Sequence, residues 1–536
     1  MSAVRLLPAG RDATLVDLAD LGEALRVFRA LNDARIPGVW ELVPAARTVL
    51  VRHRPWAAEA VRHAAQAAAA APSDAAGASR EAPLVELPVR YVGADLAEVA
   101  ALLGIAEAEV IERHTGQDWQ VAFTGFAPGF AYLTSPGAGL TVPRRSAPRT
   151  RIPAGSVGLA GEFSGVYPRA SPGGWQLIGV TSRPMWDLTR EIPALLIPGG
   201  RVRFVAEETA SAVPLPEPAA GSGPGDAARQ RAASPAEPAA APDAGPAPAL
   251  RVLAVGPQSL IQDLGRPGVA ALGVSGSGVL DAGALRAGNR LVGNPVDAAG
   301  IEAAYGGLEL LSEGDALVAL TGAPVPAERI DAAGTARAVP MHTATPLAAG
   351  ERLRLGAPSA GVRTVLAVRG GIAAPPVLGS RASDTLAALG PAPLAAGDRL
   401  PLGPVAGLGL AVAAVLPEAP PVGAELPAAG AVVTLRVHLG PRDDWFAAAA
   451  RDRLLEQPWR VTPQSDRVGL RLSGSVPLDR APEFRAAELP SEGTVPGAIQ
   501  VPADGQPVLF LADHPLTGGY PVIAVLDPAD RDLAGQ

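Results

Sequence analysis

The sequence predicts a mainly β protein with an α+β part: a small N-terminal α+β module followed by β-barrel domains, in two halves joined by a disordered Pro/Ala linker. Three observations carry that reading. The 536 residues include 61 glycines and 56 prolines, roughly twice the usual combined share, which suits short strands and many turns better than long helices. Apolar runs are short and bounded by Gly, Pro, Asp or Asn, as in Ala316–Leu320, Val362–Val368 and Val432–Val437. Between Glu207 and Ala249 lie nine prolines, and after Leu215 no large aliphatic or aromatic residue appears before Leu250. Such a segment buries too little surface to offset the entropy of ordering it.

Taken in order, residues 1–85 read as the small α+β module. Ala13–Leu18 is a strand, and Leu21, Leu25, Phe28 and Leu31 fall on one helical face. Val39–Val43 and Thr48–His53 then form a strand pair turning at Pro44-Ala45-Ala46. An alanine-rich stretch, Ala64–Ala82, reads as a helix end and a loop. Residues 86–206 form the first barrel. Within it Asp95 and Glu98 have capping-box spacing ahead of a helix Leu96–Leu103, and a second helix runs from Ala106 to His114. The linker occupies 207–249. Residues 250–420 and 421–536 form two further β-rich domains, with helices at Ala282–Leu291 and Phe446–Leu455. A weak internal echo links the halves: Pro153–Val157 precedes Gly173-Gly174-Trp175 much as Pro496–Ile499 precedes Gly518-Gly519-Tyr520.

Two absences exclude chemistry. Without cysteine there are no disulfides, thiolate zinc sites, iron–sulfur clusters or cysteine nucleophiles. Without lysine there is no P-loop lysine, Schiff base or attachment point for biotin. The six histidines, at 53, 63, 114, 342, 438 and 514, show no metal-ligand spacing, so no metal site is expected. A net charge of −8 with no basic tract argues against nucleic acid. No apolar run reaches the ~20 residues of a membrane helix, and the N-terminus lacks a signal-type core. A cytoplasmic protein without a membrane partner is expected.

Polar residues gather in glycine-rich strings. Pro143–Gly161 places Arg144, Arg145, Arg149 and Arg151 ahead of a glycine run whose backbone N–H groups could face an anion, although a solvated basic loop reads equally well. Ser156 lies outside any nucleophile-elbow sequence, so no serine hydrolase is inferred. In the second half, Ser275–Asp281, Thr462–Arg467, Leu489–Pro502 and Ala512–Pro521 bring forward Asp466, Arg467, Glu492, Gln500, Asp513 and His514 as candidates for one cleft. A lone histidine such as His514 is more often structural.

The strings GFAPGFAYL (Gly125–Leu133), PRTRIPAGSVGLAG and YPRASPGGWQLIG (Tyr167–Gly179) resemble the family of the 5-oxoprolinase B-type subunit, also called allophanate hydrolase subunit 1 or kinase-inhibitor-like. QDLGRPG (Gln262–Gly268), SGVLDAGALRAGNRLVGNP (Ser277–Pro295), TPQSDRVG, SEGTVPGAIQVP and TGGYP resemble the family of the C-type subunit, which is biotin-dependent carboxyltransferase-like. Ala127, Ala131, Val279-Leu280 and Thr364-Val365 depart from the family pattern at packing positions. The resemblance implies cyclophilin-like barrels and a B–C fusion whose tether joins two normally separate partners. It also implies ATP-dependent opening of 5-oxoproline to glutamate, using ATP with magnesium and a separate A-type subunit of 5-oxoprolinase. Under that reading Arg149 and Arg151 hold phosphate or carboxylate, and Glu492, Asp466 or His514 handle protons. Gln500 and Tyr520 orient the lactam, and Ser156, Gln464 and Arg467 complete the candidate binding set. Other implied readings are a carboxyltransferase component with its biotin carrier in trans and a histidine-kinase regulator. A homo-oligomer is compatible with all three.

Overall fold

The structure is a computed structural model that describes residues 4–71, 84–135, 137–207, 248–408 and 426–536. The predicted linker lies outside these residues except at its ends, as does most of the loop expected after the alanine-rich helix. What is described is mostly β, as expected from the turn-rich composition.

The N-terminal module is an antiparallel sheet in the order Arg5–Pro8, Ala13–Asp17, Thr48–His53, Val39–Pro44. Sequence reasoning misses its edge strand Arg5–Pro8, which is four residues long and ends in proline, as only an edge tolerates. Helix Leu21–Ala34 starts where Asp20 accepts the Glu23 N–H at 2.9 Å. With helix Ala58–Ala70 it covers one sheet face, burying Val16, Val49 and Val51. Leu15 and Leu50 alternate to the opposite face. The unbroken apolar run Val49-Leu50-Val51 therefore belongs to a strand buried on both sides.

The opposite face packs on the far end of the chain. Ala9, Ala13, Leu15, Val43 and Leu50 share a core with Val495, Phe510, Leu516, Val522 and Val525. Gly493 allows this approach, since a Cβ there would lie 2.7 Å from the Leu50 Cβ. The two halves are thus one packed body at this seam.

The next sheet has seven strands, with Arg201–Ala206 between Asp118–Thr124 and Leu84–Val89, parallel to the latter. Helix Leu96–Leu103 stands where expected, but Asp95 does not cap it. Its carboxylate turns inward and accepts the Leu177 N–H at 2.7 Å, together with two arginines described below. Helix Glu107–Thr115 follows.

In the second half, a six-stranded and a five-stranded sheet enclose an aliphatic core that includes Leu250, Ile301, Leu320 and Leu366. Helix Ala282–Leu291 is capped by Asp281, which accepts the Ala284 N–H at 2.8 Å. The last sheet runs Val437–Leu439, Val522–Leu526, Ala498–Gln500, Val508–Phe510, Gly469–Ser473, Arg460–Val461. The strand expected over Val432–Val437 begins only at Val437; Val432 is 87% exposed and has no ladder partner among the described residues. A β-branched run makes a strand only where a sheet edge receives it. The helix expected at Phe446–Leu455 lies at Ala448–Glu456.

The internal echo has a structural counterpart. Ser156–Ala160 pairs antiparallel with Gln176–Val180, and Ala498–Gln500 with Val522–Leu526, and each pairing contains one register shift. In both echoes the Gly-Gly-aromatic string leads directly into the second strand of the pair.

Candidate functional site

The string Gly125–Phe130 folds into a tight loop on the face that meets the second half. Thr124 Oγ1 donates to the Ala270 carbonyl at 3.0 Å, and Gly129 N–H donates to the Leu272 carbonyl at 3.0 Å. Gly273, at φ 76°, lies so close that a Cβ would sit 2.7 Å from the Ala127 oxygen. Phe126 is left-handed, with φ 66°, yet its ring is 37% exposed. Such a conformation costs a bulky residue about 1–3 kcal/mol and persists only where its surroundings enforce it.

Behind Phe126 lies an aromatic cluster. Phe126, Phe130 and Tyr167 are edge-to-face, with ring centroids 5.3–6.3 Å apart, and Trp175 stands 5.3 Å from Phe130. Tyr132 is buried, and its phenol is hydrogen-bonded with Ser491 and Thr517 of the second half. Burial pushes the phenols of Tyr132 and Tyr167 up, while the Arg144 charge pulls both in the opposite direction. The seam here joins aromatic groups of one half to hydroxyl-bearing residues of the other.

The arginine rim divides into two kinds. Arg149 grips Asp95 with two nitrogens at 2.7 and 2.9 Å, and Arg145 joins at 2.8 Å while also reaching Glu98. Burial would raise the Asp95 carboxyl, but Arg149, the Leu177 N–H and Arg145 outweigh it and hold the carboxyl below its ordinary value. Arg144 and Arg151 are exposed and make no ion pair or side-chain hydrogen bond among the described residues. The glycine run does not form an anion nest. Gly155 N–H donates to the Tyr167 carbonyl, Ser156 N–H to Pro153, and Ser156–Ala160 is a buried strand. The sheet ladder has taken these donors, which is why the anion-facing expectation fails there.

The second-half candidates do not converge in one cleft. Arg467 is buried and bonds Glu302, the Gly278 carbonyl and Asp513, whose other partners are Ser277 at 2.6 Å and Thr385 at 2.7 Å. Arg467 therefore holds internal carboxylates and does not project as a ligand donor. Beside this network Arg266 and Asp384, both fully buried, stand 3.6 Å apart, and Asp384 Oδ2 has no hydrogen-bond partner among the described residues. Burial and the nearby Asp513 raise the Asp384 carboxyl to about 6. Arg169, from the first half, donates to the Leu386 carbonyl of the same loop.

Glu492 lies elsewhere, at the seam with the N-terminal module. It is bound by Arg442, which also reaches Asp17 at 2.9 Å. Burial pushes the Glu492 carboxyl up against the pull of Arg442. These groups border a hollow of about 150 Å³ with Arg47, Trp445 and Phe484. Asp466 is exposed and closes its own turn, accepting the Val468 N–H at 2.9 Å. His514 is buried, with burial lowering its pKa to about 4, and Nδ1 lies 2.8 Å from the Pro515 carbonyl. A neutral imidazole in that position is a packing group. Gln464 is exposed, and Gln500 is buried against Gly518, whose missing Cβ makes room for the amide. Tyr520 is 48% exposed. Sequence reasoning names Arg144 only as part of the rim, and misses Phe126, Tyr132, Ser491 and Thr517 as one site; the aromatics inside a glycine-hinged string are the available signal.

Among the described residues, no cluster of three or more His, Asp or Glu could hold a metal, and no helix is long and apolar enough to cross a membrane.

Comparison with known proteins places both halves. Residues 4–196 match the carboxyltransferase domain, subdomain C and D, and residues 272–536 match the carboxyltransferase domain, subdomain A and B. The first half is 51% identical over 131 residues to the B-type subunit of 5-oxoprolinase from Escherichia coli O157:H7, covering 24% of this chain and 60% of that protein. The second is 37% identical over 284 residues to the C-type subunit of 5-oxoprolinase from Escherichia coli K12, covering 52% of this chain and 85% of that protein. The crystal structure of TTHA0988 aligns over 98% of this chain and 97% of its own, with 33% identity and a TM-score of 0.76. The chain belongs to the carboxyltransferase-domain family and joins in one polypeptide a half similar to the B-type 5-oxoprolinase subunit with a half similar to the C-type one.

Proposed function

We propose that the chain is a component of an ATP-dependent 5-oxoprolinase, acting with a separate A-type subunit to convert 5-oxo-L-proline, ATP and water into L-glutamate, ADP and phosphate. The observation that carries this reading is the seam itself. The halves, similar to the B-type and C-type subunits, meet where Tyr132 and the Gly125–Phe130 loop of one contact Ser491, Thr517 and Leu272 of the other. A small anionic lactam suits a rim that carries exposed arginines, Arg144 and Arg151, near an exposed aromatic ring, Phe126.

Lactam opening is uphill, and phosphorylation of the amide oxygen by ATP would make the ring carbon electrophilic for water. With the glycine-run amides already paired and no lysine in the chain, nucleotide contacts on this chain fall to arginine, and the remainder to the A-type partner.

Mixing the chain with its matching A-type partner, magnesium, ATP and 5-oxoproline should release glutamate and phosphate in equal amounts, and neither protein alone should do so. Absence of glutamate from the mixture would refute the reading. The family description favours a second reading, a carboxyltransferase component. Because the chain has no lysine to carry biotin, that activity would appear only with a biotinylated carrier added in trans.

A further inference from the structure

We propose that the hollow between the N-terminal module and the second half binds a free aliphatic α-amino acid, held by its carboxylate at Arg5 and Arg47 and by its ammonium at Glu492. The site is separate from the arginine rim and does not rest on the 5-oxoprolinase reading.

The size of the hollow sets the first limit. Pockets for drug-sized ligands span about 300–1,000 Å³, whereas this one holds about 150 Å³. A nucleotide is too large for it, and an amino acid is not. Its charges set the second limit. Three arginines and three carboxylates line it, so the formal charges cancel. A zwitterion preserves that balance, where a lone anion or cation upsets it.

Exposure divides the charged groups into a closed side and an open side. The side chains of Asp17, Arg442 and Glu492 are at most 5% exposed, whereas those of Arg5 and Arg47 are 52% and 43% exposed. Arg442 spends its nitrogens on the two closed-side carboxylates, Nη1 on Asp17 at 2.9 Å and the other two on Glu492. Glu492 Oε2 receives only the Arg442 Nε, at 3.1 Å and shared with Oε1. A carboxylate oxygen has room for two hydrogen bonds, so Oε2 is an under-used acceptor for an ammonium. Burial holds this carboxyl above its ordinary value in spite of Arg442, and a second cation beside it relieves that penalty. On the open side, Arg5 Nη2 donates to the exposed Asp444 at 2.7 Å and Arg47 Nε to Asp17 at 3.1 Å. Arg5 Nε and Nη1 and Arg47 Nη1 make no hydrogen bond among the described residues, which leaves donors for a carboxylate.

The rest of the lining is apolar. Trp445 and Phe484 stack with centroids 4.6 Å apart and 10° between their planes, and Leu489 and Pro490 complete the wall. An aliphatic side chain gains from burial there, whereas a second ligand carboxylate would be set against rings and carbon.

Titration calorimetry on the full chain tests the site with four probes: L-leucine, 4-methylpentanoate, which lacks the ammonium, 3-methylbutylamine, which lacks the carboxylate, and L-glutamate. L-Leucine should bind, with each of the others weaker by roughly tenfold or more. Arg5→Ala and Arg47→Ala should each weaken L-leucine severalfold and leave 3-methylbutylamine unchanged, and Phe484→Leu should weaken both. Arg5 is half exposed, so its variant reads binding without a folding defect. Saturating 5-oxo-L-proline should leave L-leucine binding unaltered. No binding of L-leucine, equal binding of any other probe, or unaltered affinity in both arginine variants would overturn the assignment. Competition between L-leucine and 5-oxo-L-proline would overturn the proposal of a separate site.

Discussion

The interiors on the two sides of the seam are built from opposite materials. The first-half barrel gathers Phe123, Phe126, Phe130, Tyr132, Phe163, Tyr167 and Trp175, a third of the 21 aromatic residues in the chain, around one loop. The second half buries charge instead, through Arg467 with Glu302 and Asp513 and Arg266 beside Asp384, and at its seam with the N-terminal module Arg442 holds both Glu492 and Asp17 of that module. Aromatic packing tolerates a ring at the mouth, because its edge loses little in water. A buried ion network does not tolerate an open side, because each carboxylate needs every donor it has. The exposed ring, Phe126, therefore sits on the aromatic side, while the ion pairs stay closed to water.

That contrast breaks most sharply at Arg467. Arg467→Met leaves Glu302 and Asp513 buried without their cation and should cost about 3–5 kcal/mol in denaturant unfolding. Adding Glu302→Gln and Asp513→Asn should restore part of the loss. A cost below about 1 kcal/mol for the single change would show that the network is solvated. On the aromatic side, Phe130→Ala should cost about 3 kcal/mol through the cavity it opens, and should blunt ligand binding because Phe126 loses the ring it leans on.

The pH dependence sharpens the comparison further. Asp384 and Asp281 have folded pKa values of about 6, raised by burial. The native state therefore holds their protons more tightly than the unfolded chain, so their contribution to stability grows as pH falls through about 6 and is complete only below the ordinary carboxylate value of about 4. Carboxylates held down by arginine, such as Asp17 and Asp95, lose their contribution only at lower pH, as the fall passes the ordinary carboxylate range. Asp384→Asn should remove about 1–2 kcal/mol of that rise; an unchanged stability profile in this variant would show that Asp384 is ionised throughout. Smallest are the rim effects: Arg149→Ala should lower stability by about 1–2 kcal/mol, whereas Arg144→Ala should stay within about 0.5 kcal/mol. Equal effects at both positions would erase the distinction between the arginine that grips Asp95 and the exposed one.

Much of this architecture is legible along the chain. The strand Ala13–Asp17, the helix Leu21–Ala34 and the helix Ala282–Leu291 follow from periodicity and an acidic cap. Local spacing misleads where a long-range partner competes. Asp95 has the sequence of a cap, yet two arginines about fifty residues away take its carboxylate. The same competition explains why Arg149 reads as a ligand donor: Asp95 lies far upstream of the rim. Glu492, Arg467 and His514 stand in family-like strings, but their burial and partners come from strands distant in sequence, and spacing carries no record of those. Tyr132 stands inside a family-like string too, and its role at the seam requires knowing that residues 491 and 517 fold back onto it.

The shared core between residues 9–50 and residues 495–525 has a consequence for how the chain is made. The strands that carry Leu15 and Leu50 pack one face against their own helices, but the surface of these two residues stays wet until residues 495–525 have also been synthesised. At roughly 5–20 residues per second that interval is on the order of half a minute to a minute and a half. Throughout it, an apolar sheet face waits for its partner. In a pair of separate polypeptides the corresponding face would wait for a collision; here it waits for a later stretch of its own chain.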